Sequence, residues 1–153
     1  MIKVAPSLLS ANFACLKDDI EKIENGKADW LHYDVMDGHF VPNISFGYSI
    51  LKDVSKVTSL FLDVHLMISE PQKYVDEFIK SGANLIVFHI EAMENKEDTL
   101  ALIHHIKENN VQVGIVTGFK QKTPIYGASN PWGSDFEPTL GAHVAVLVRC
   151  LCK

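Results

Sequence analysis

Trp30-Leu31-His32-Tyr33-Asp34-Val35-Met36 and Phe61-Leu62-Asp63-Val64-His65-Leu66-Met67 are the stretches whose reading decides the fold. Each is a short β-type run, and side chains alternate along a strand, so each run divides into two faces. In the first, Leu31, Tyr33 and Val35 point one way while His32, Asp34 and Met36 point the other. In the second, Leu62, Val64 and Leu66 share a face and Asp63, His65 and Met67 share the opposite one. A strand of a parallel sheet covered on both sides should be nearly all apolar. Two strands that break this rule in the same manner point to one face with a task other than packing.

Working outward, similar runs are found at Ile2 to Leu9, Leu85 to Ile90 and Val111 to Val116. The fourth run, Leu85 to Ile90, adds His89 and then Glu91 at the same parity. Amphipathic stretches lie between the runs, at about Phe13 to Glu24, Tyr48 to Lys56, Gln72 to Lys80 and Lys96 to Asn109. In the first of these, Phe13, Leu16, Ile20 and Ile23 fall at helical spacing, with charged residues on the rest of the wheel. Pro71 suits the start of the third, and Asn109-Asn110 the end of the fourth. Strand–helix–strand repetition of this kind implies parallel sheet with right-handed crossovers. A doubly wound sheet and a (β/α)8 barrel both satisfy it. No strand is followed by a Gly-x-Gly-x-x-Gly turn or a phosphate-binding P-loop, which favours the barrel.

In a barrel one face of every strand looks inward, so the imidazoles and carboxylates would converge near the C-terminal ends of the strands, where barrel active sites lie. Imidazole nitrogen with carboxylate oxygen suits zinc or a Mn-, Fe- or Co-type divalent ion. Taken singly, each of these residues reads better as a hydrogen-bonded core residue than as a site residue. Several at matched positions on adjacent strands favour a site, because burying ionisable groups without partners or metal is costly. The long connection Asp37-Gly38-His39-Phe40-Val41-Pro42-Asn43-Ile44-Ser45-Phe46-Gly47 reads either as an active-site loop or as plain turn chemistry.

Composition sets the outer bounds. The chain has 153 residues, 47% hydrophobic and 22% charged, with net charge −5. No apolar run approaches the roughly 18 residues of a membrane helix, and the N-terminus lacks a signal-peptide layout. The expectation is a cytoplasmic protein with neither a membrane nor a nucleic acid as partner, since no basic cluster is present. Three cysteines, with Cys15 far from Cys150 and Cys152, form no disulfide framework. The terminal Cys-x-Cys has no companion ligands beside it and reads as incidental.

Three blocks carry a family resemblance: Val4-Ala5-Pro6-Ser7-Leu8-Leu9-Ser10, then Leu31-His32-Tyr33-Asp34-Val35-Met36-Asp37-Gly38-His39-Phe40-Val41-Pro42-Asn43-Ile44, then Leu62-Asp63-Val64-His65-Leu66-Met67. In order and spacing they resemble the ribulose-phosphate 3-epimerase family, from Met1 to about Ile115. Allulose-6-phosphate 3-epimerase is similar to much of the same pattern. The resemblance implies a (β/α)8 barrel, usually homo-oligomeric, that interconverts D-ribulose 5-phosphate and D-xylulose 5-phosphate through an enediolate. It further implies one divalent metal ion (Zn, Fe, Mn or Co) and a phosphorylated ketopentose as substrate. Carried over by position, His32, Asp34 and His65 match metal ligands, and Asp34 also matches one of two acid/base groups. Ser7, His65, Met36 and Met67 match substrate-binding positions, and Asp37 matches a position supporting the site from behind.

The chain departs from the family pattern in three places. Lys27 stands where the family has a helix-ending glycine, at a place where left-handed backbone would cost about 1 kcal/mol unless Gly26 takes the role. After Val113-Gly114 the stretch up to Thr123-Pro124 runs longer than the family's, with Gln121 in place of its first proline. Beyond Ile125 the strand–helix alternation is lost, and neither the second acid/base aspartate with its metal-binding role nor the glycine-rich phosphate loops can be found. The expectation is an incomplete barrel of about five strands over residues 1–115. Residues 116–153 then form a divergent tail of frameshifted or alternatively spliced sequence. Besides an epimerase, the residues leave open a non-catalytic half-barrel that binds a partner and a metal-dependent hydrolase.

Overall fold

The computed structural model describes residues 3–117. Strands β1 (Trp30–Met36), β2 (Phe61–Met67), β3 (Leu85–His89) and β4 (Gln112–Val116) form one sheet in the order β1-β2-β3-β4. Every neighbouring pair is parallel. Helix α1 (Leu16–Asn25) precedes β1, and α2 (Tyr48–Val54), α3 (Pro71–Lys80) and α4 (Lys96–Glu108) connect successive strands. A doubly wound sheet reverses its strand order at a switch point. Here the order follows the chain without reversal, as in the wall of a (β/α)8 barrel.

The first expected strand, Ile2 to Leu9, is not a regular strand. Its extended backbone does lie along β1: Asp29 N and Trp30 N donate to Val4 O at 2.9 and 3.2 Å, and His32 N donates to Pro6 O at 2.9 Å. A single parallel bridge joins Ser7 to His32. Pro6 has no N–H to return, so the segment accepts from β1 without completing a ladder. The chain then turns into a 3-10 helix, Leu8–Ser10, whose Leu9 N–H donates to Ser7 Oγ at 3.3 Å.

The helices cover one face of the sheet. The main core combines Leu31, Tyr33, Val35, Leu62, Val64, Leu66, Ile86 and Phe88 from the strands with Ile20, Leu51, Val54, Val75, Phe78, Leu102 and Ile106 from the helices. All eight strand residues lie on one face in register, and burial of each large apolar side chain contributes about 1.5–3 kcal/mol. Phe13 falls outside this core: it is 51% exposed and its ring meets Phe46 at 5.5 Å. A 3-10 turn, Phe13–Cys15, precedes the helix proper, with the Asn12 side chain accepting from Ala14 N. Pro71 occupies the first turn of α3, where its missing N–H is not needed.

Helices α1, α3 and α4 end in the same way. Ala28 N reaches Ile23 O, Ala83 N reaches Phe78 O and Val111 N reaches Ile106 O, at 3.1, 3.2 and 3.4 Å. The residue before each donor has positive φ: Lys27 at 60°, Gly82 at 101° and Asn110 at 60°. These are left-handed C-caps. Glycine and asparagine adopt that backbone readily, whereas Lys27 carries the steric cost itself, because Gly26 stays helical at φ −72°.

Candidate functional site

The inner face of the sheet is set by register. His32 of β1 pairs with Asp63 of β2, Asp34 with His65, and Met36 with Met67. On β3, Val87 lies beside His65, so His89 follows on the same face one residue pair further on. On β4, Gly114 stands opposite Val87, and a Cβ there would meet Val87 Cγ2 at 3.2 Å.

Asp34 is the centre of the cluster. Its Oδ1 lies 3.0 Å from His32 Nε2 and 3.3 Å from His65 Nδ1. Its Oδ2 accepts from Ser7 Oγ at 2.6 Å. Ser7, expected to meet substrate, is therefore held against Asp34 by the segment that lies along β1. Burial pushes the Asp34 carboxyl up, but the hydrogen bonds from His32, His65 and Ser7 outweigh it and hold it well below the usual carboxylate range. Burial would lower His32, yet Asp34 and Asp63 together raise it to about 10. Burial holds His65 below its ordinary 6.5, against the pull of Asp34 and with His89 adding to the depression. The cluster thus pairs a carboxyl held low with one imidazole pushed up and one pushed down.

One nitrogen from each of His32 and His65 and one Asp34 oxygen lie within 4.8 Å of one another. Ligands held at about 2.0–2.2 Å by one zinc-like ion stand about 3–3.5 Å apart. The two contacts of Asp34 with the histidines already have that spacing, and the N,N,O donor set suits a divalent ion. His32 would surrender a proton on binding one.

Two further residues complete the polar face. Asp63 Oδ2 lies 2.8 Å from His32 Nδ1, and Asp63 is 3% exposed. His65 Nε2 lies 2.9 Å from His89 Nε2, and His89 is 2% exposed. The alternation of the strands places both residues on this face, but pattern alone assigns them no partner.

The connection after β1 resolves into folded structure. Gly38 N donates to Asn43 O at 2.8 Å and Asp37 bridges to Ile44. Gly38 has φ +75°, and a Cβ there would come within 2.9 Å of Ile44 Cγ1, so turn chemistry shapes this loop. Ser45 Oγ donates to Asp34 O at 2.7 Å and accepts from Met36 N at 2.9 Å, which pins the returning chain to the strand that carries Asp34. Asp37 acts at the rim: Oδ1 accepts from His39 N and Phe40 N, and Oδ2 from Ser69 N, tying the loops after β1 and β2 together. Phe40 and Val41 then pack with Met67 and Ala92, and with Met36 at the edge, as a small apolar cluster beside the polar one.

The sequence profile described as "Ribulose-phosphate 3 epimerase family" matches residues 3–130. The chain belongs to this family. It is 53% identical over 116 residues to the ribulose-phosphate 3-epimerase of Bacillus subtilis (strain 168), covering 76% of this chain and 52% of that protein. It is 48% identical over 113 residues to the enzyme of the same name from Aquifex aeolicus (strain VF5), 74% of this chain and 50% of that one. With the cytoplasmic isoform from Oryza sativa subsp. japonica it shares 38% identity over 133 residues, 84% of this chain and 58% of the relative. The chain spans about half the length of these relatives. Membership joins the observed parallel sheet to the (β/α)8 barrel of the epimerase family. The profile reaches past residue 115, where the motif resemblance ends. From residue 118 on, the expected tail, with Cys150 and Cys152, lies outside the described residues. Among the described residues no helix is long and apolar enough to cross a membrane.

Proposed function

We propose that this chain carries one half of a ribulose-phosphate 3-epimerase site, with a phosphorylated ketopentose as substrate, and that Asp34 moves the proton at C3. The observation that carries the proposal is the convergence of Asp34 with His32 and His65 on the inner face, with Asp34 and His65 in the C-terminal halves of β1 and β2. That is where a barrel of this family works on its substrate.

His32, Asp34 and His65 would hold a zinc, iron, manganese or cobalt ion. When bound, such an ion supplies a positive charge that stabilises an enediolate oxygen. The remaining chemistry falls to side chains. Asp34, ionised in its setting, takes the C3 proton; the C–H electron pair forms the C2–C3 double bond, and the carbonyl pair moves onto oxygen. Ser7 fixes the carboxylate from the Oδ2 side. Met36 and Met67, adjacent in register, present polarizable apolar surface beside the carboxylate and keep water away from it.

The test is solvent-deuterium exchange at C3 of D-ribulose 5-phosphate, with added zinc or manganese. Metal-dependent incorporation of deuterium is expected even where little xylulose 5-phosphate forms. No incorporation with either metal would overturn the proposal.

A further inference from the structure

Each imidazole of the cluster has two ring nitrogens, and in both rings the nitrogen turned away from Asp34 is occupied by a buried side chain. His32 faces Asp34 through Nε2, and its Nδ1 meets Asp63. His65 faces Asp34 through Nδ1, and its Nε2 meets His89. The two histidines therefore present opposite nitrogens, and each arrangement has its own cause in the register of the sheet.

Packing does not explain the two outer partners. Asp63 is 3% exposed, and its Oδ1 has no hydrogen-bond partner among the described residues, so a carboxylate has been buried for the sake of one contact, to His32. A well-packed apolar residue at such a position is usually no less stable than a buried charge. His89 is equally enclosed. Its ring centroid lies 5.0 Å from that of His65 while the nearest nitrogens are 2.9 Å apart, so the rings meet edge to edge through Nε2 rather than face to face. One of these two nitrogens must donate and the other accept.

We infer that Asp63 and His89 are positioning residues that, once a divalent ion takes the place of the hydrogen bonds from His32 and His65 to Asp34, fix the tautomers of the two rings, directing the Nε2 lone pair of the first and the Nδ1 lone pair of the second at the ion. Asp63 accepts the Nδ1 proton of His32. His89 accepts the Nε2 proton of His65 and keeps its own proton on Nδ1, the side on which Glu91 Oε2 stands 3.7 Å away. Histidine ligands elsewhere are commonly held in this way by an acceptor on the far nitrogen. Here two different acceptors, a carboxylate oxygen and an imidazole nitrogen, hold two rings in opposite senses. The inference rests on the proposal that the cluster binds a divalent ion.

The experiment titrates the full chain with zinc alone, by chelator competition, and reads the ring nitrogens of His32 and His65 in long-range 15N–1H spectra. The unsubstituted chain is expected to bind zinc with the proton on Nδ1 of His32 and on Nε2 of His65. Asp63→Leu and His89→Leu, which remove the acceptors, should each weaken zinc binding about 10- to 100-fold. Asp63→Asn and His89→Gln keep a carbonyl acceptor and should recover most of that loss, which a purely structural role would not predict. Zinc bound through the opposite nitrogens, or bound equally tightly by both Leu variants, overturns this inference and leaves the metal site standing. Failure of the unsubstituted chain to shift either ring with zinc overturns the metal site, and the inference with it. Should the Leu variants lose their far-UV circular dichroism, the proton positions in the unsubstituted chain decide the question alone.

Discussion

The two faces of the sheet are made from alternate residues of the same strands and obey different rules. The outer face, from Leu31 and Tyr33 through Phe88, is buried against helices and makes its contribution through apolar volume. On such a face a side chain of similar size and polarity serves nearly as well. The inner face contains Asp34, His32, His65, Asp63 and His89, in contacts of 2.8 to 3.3 Å that depend on particular atoms. There, replacing one atom at constant shape changes the chemistry. One face holds the chain together, and the other spends stability on burying ionisable groups.

The sharpest way to break this contrast is to exchange one residue on each face. Asp34→Asn keeps the shape and removes the proton acceptor, so C3 exchange should fall about 10²- to 10⁴-fold. Thermal unfolding should show the variant still folded; full exchange activity would end the assignment of Asp34. On the outer face, Leu66→Ala removes a side chain with no exposure, between Val35 and Phe88 on the flanking strands. Chemical denaturation should show a loss of about 2–5 kcal/mol. The His32 and His65 ring resonances of the folded fraction should stay in place. If they moved as far as they do in Asp34→Asn, the two faces would not be independent.

Asp37 tests the rim where the faces meet. Burial pushes its carboxyl up, but the backbone N–H groups of Ser69, His39 and Phe40 outweigh this and hold it below its ordinary 3.8. A depressed carboxyl stabilises the fold above its unfolded value, and that contribution disappears as pH falls through the lower folded value. Denaturation between pH 6 and pH 2 should therefore show stability declining below about pH 4. Asp37→Ala should flatten that part of the profile and cost about 1.5–3 kcal/mol at neutral pH. The smallest effect belongs to Lys27, away from both faces. Lys27→Gly should raise stability by about 1 kcal/mol, because glycine adopts the positive φ of 60° without steric cost. An unchanged midpoint would mean that the left-handed cap is not strained.

Much of the fold was legible because its signals are local. Helix positions at Ile20 and Ile23, the Pro71 start and the Asn110 end follow from spacing and capping that neighbouring residues determine. The first strand was the exception. Ile2 to Leu9 has strand-like composition, but Pro6 removes a ladder donor and Ser7 turns the chain, so the segment lies along β1 without becoming part of a regular ladder. At Lys27 the sequence posed a question that only backbone geometry could answer: Gly26 was available for the left-handed position, and the chain used Lys27. In the site, parity put His32, Asp34 and His65 on one inward face together with Asp63 and His89, and it was the family resemblance that singled out the first three as a ligand set. Asp63 and His89 were visible on the same face with no task.

By itself, the sequence determined which residues share a face, because a strand alternates with a period of two wherever it is placed, and it determined family membership through blocks that lie close along the chain. Tertiary structure decided which atoms meet. The pairs His32 with Asp63, Asp34 with His65 and His65 with His89 join residues on different strands, and they exist only through the register that the crossover helices and the shared apolar face impose. A period of two is a property of the single strand, whereas register is a property of the packed sheet. For that reason the shared face could be read from the residues and a candidate donor set from the resemblance, but the nitrogen that each histidine offers could not.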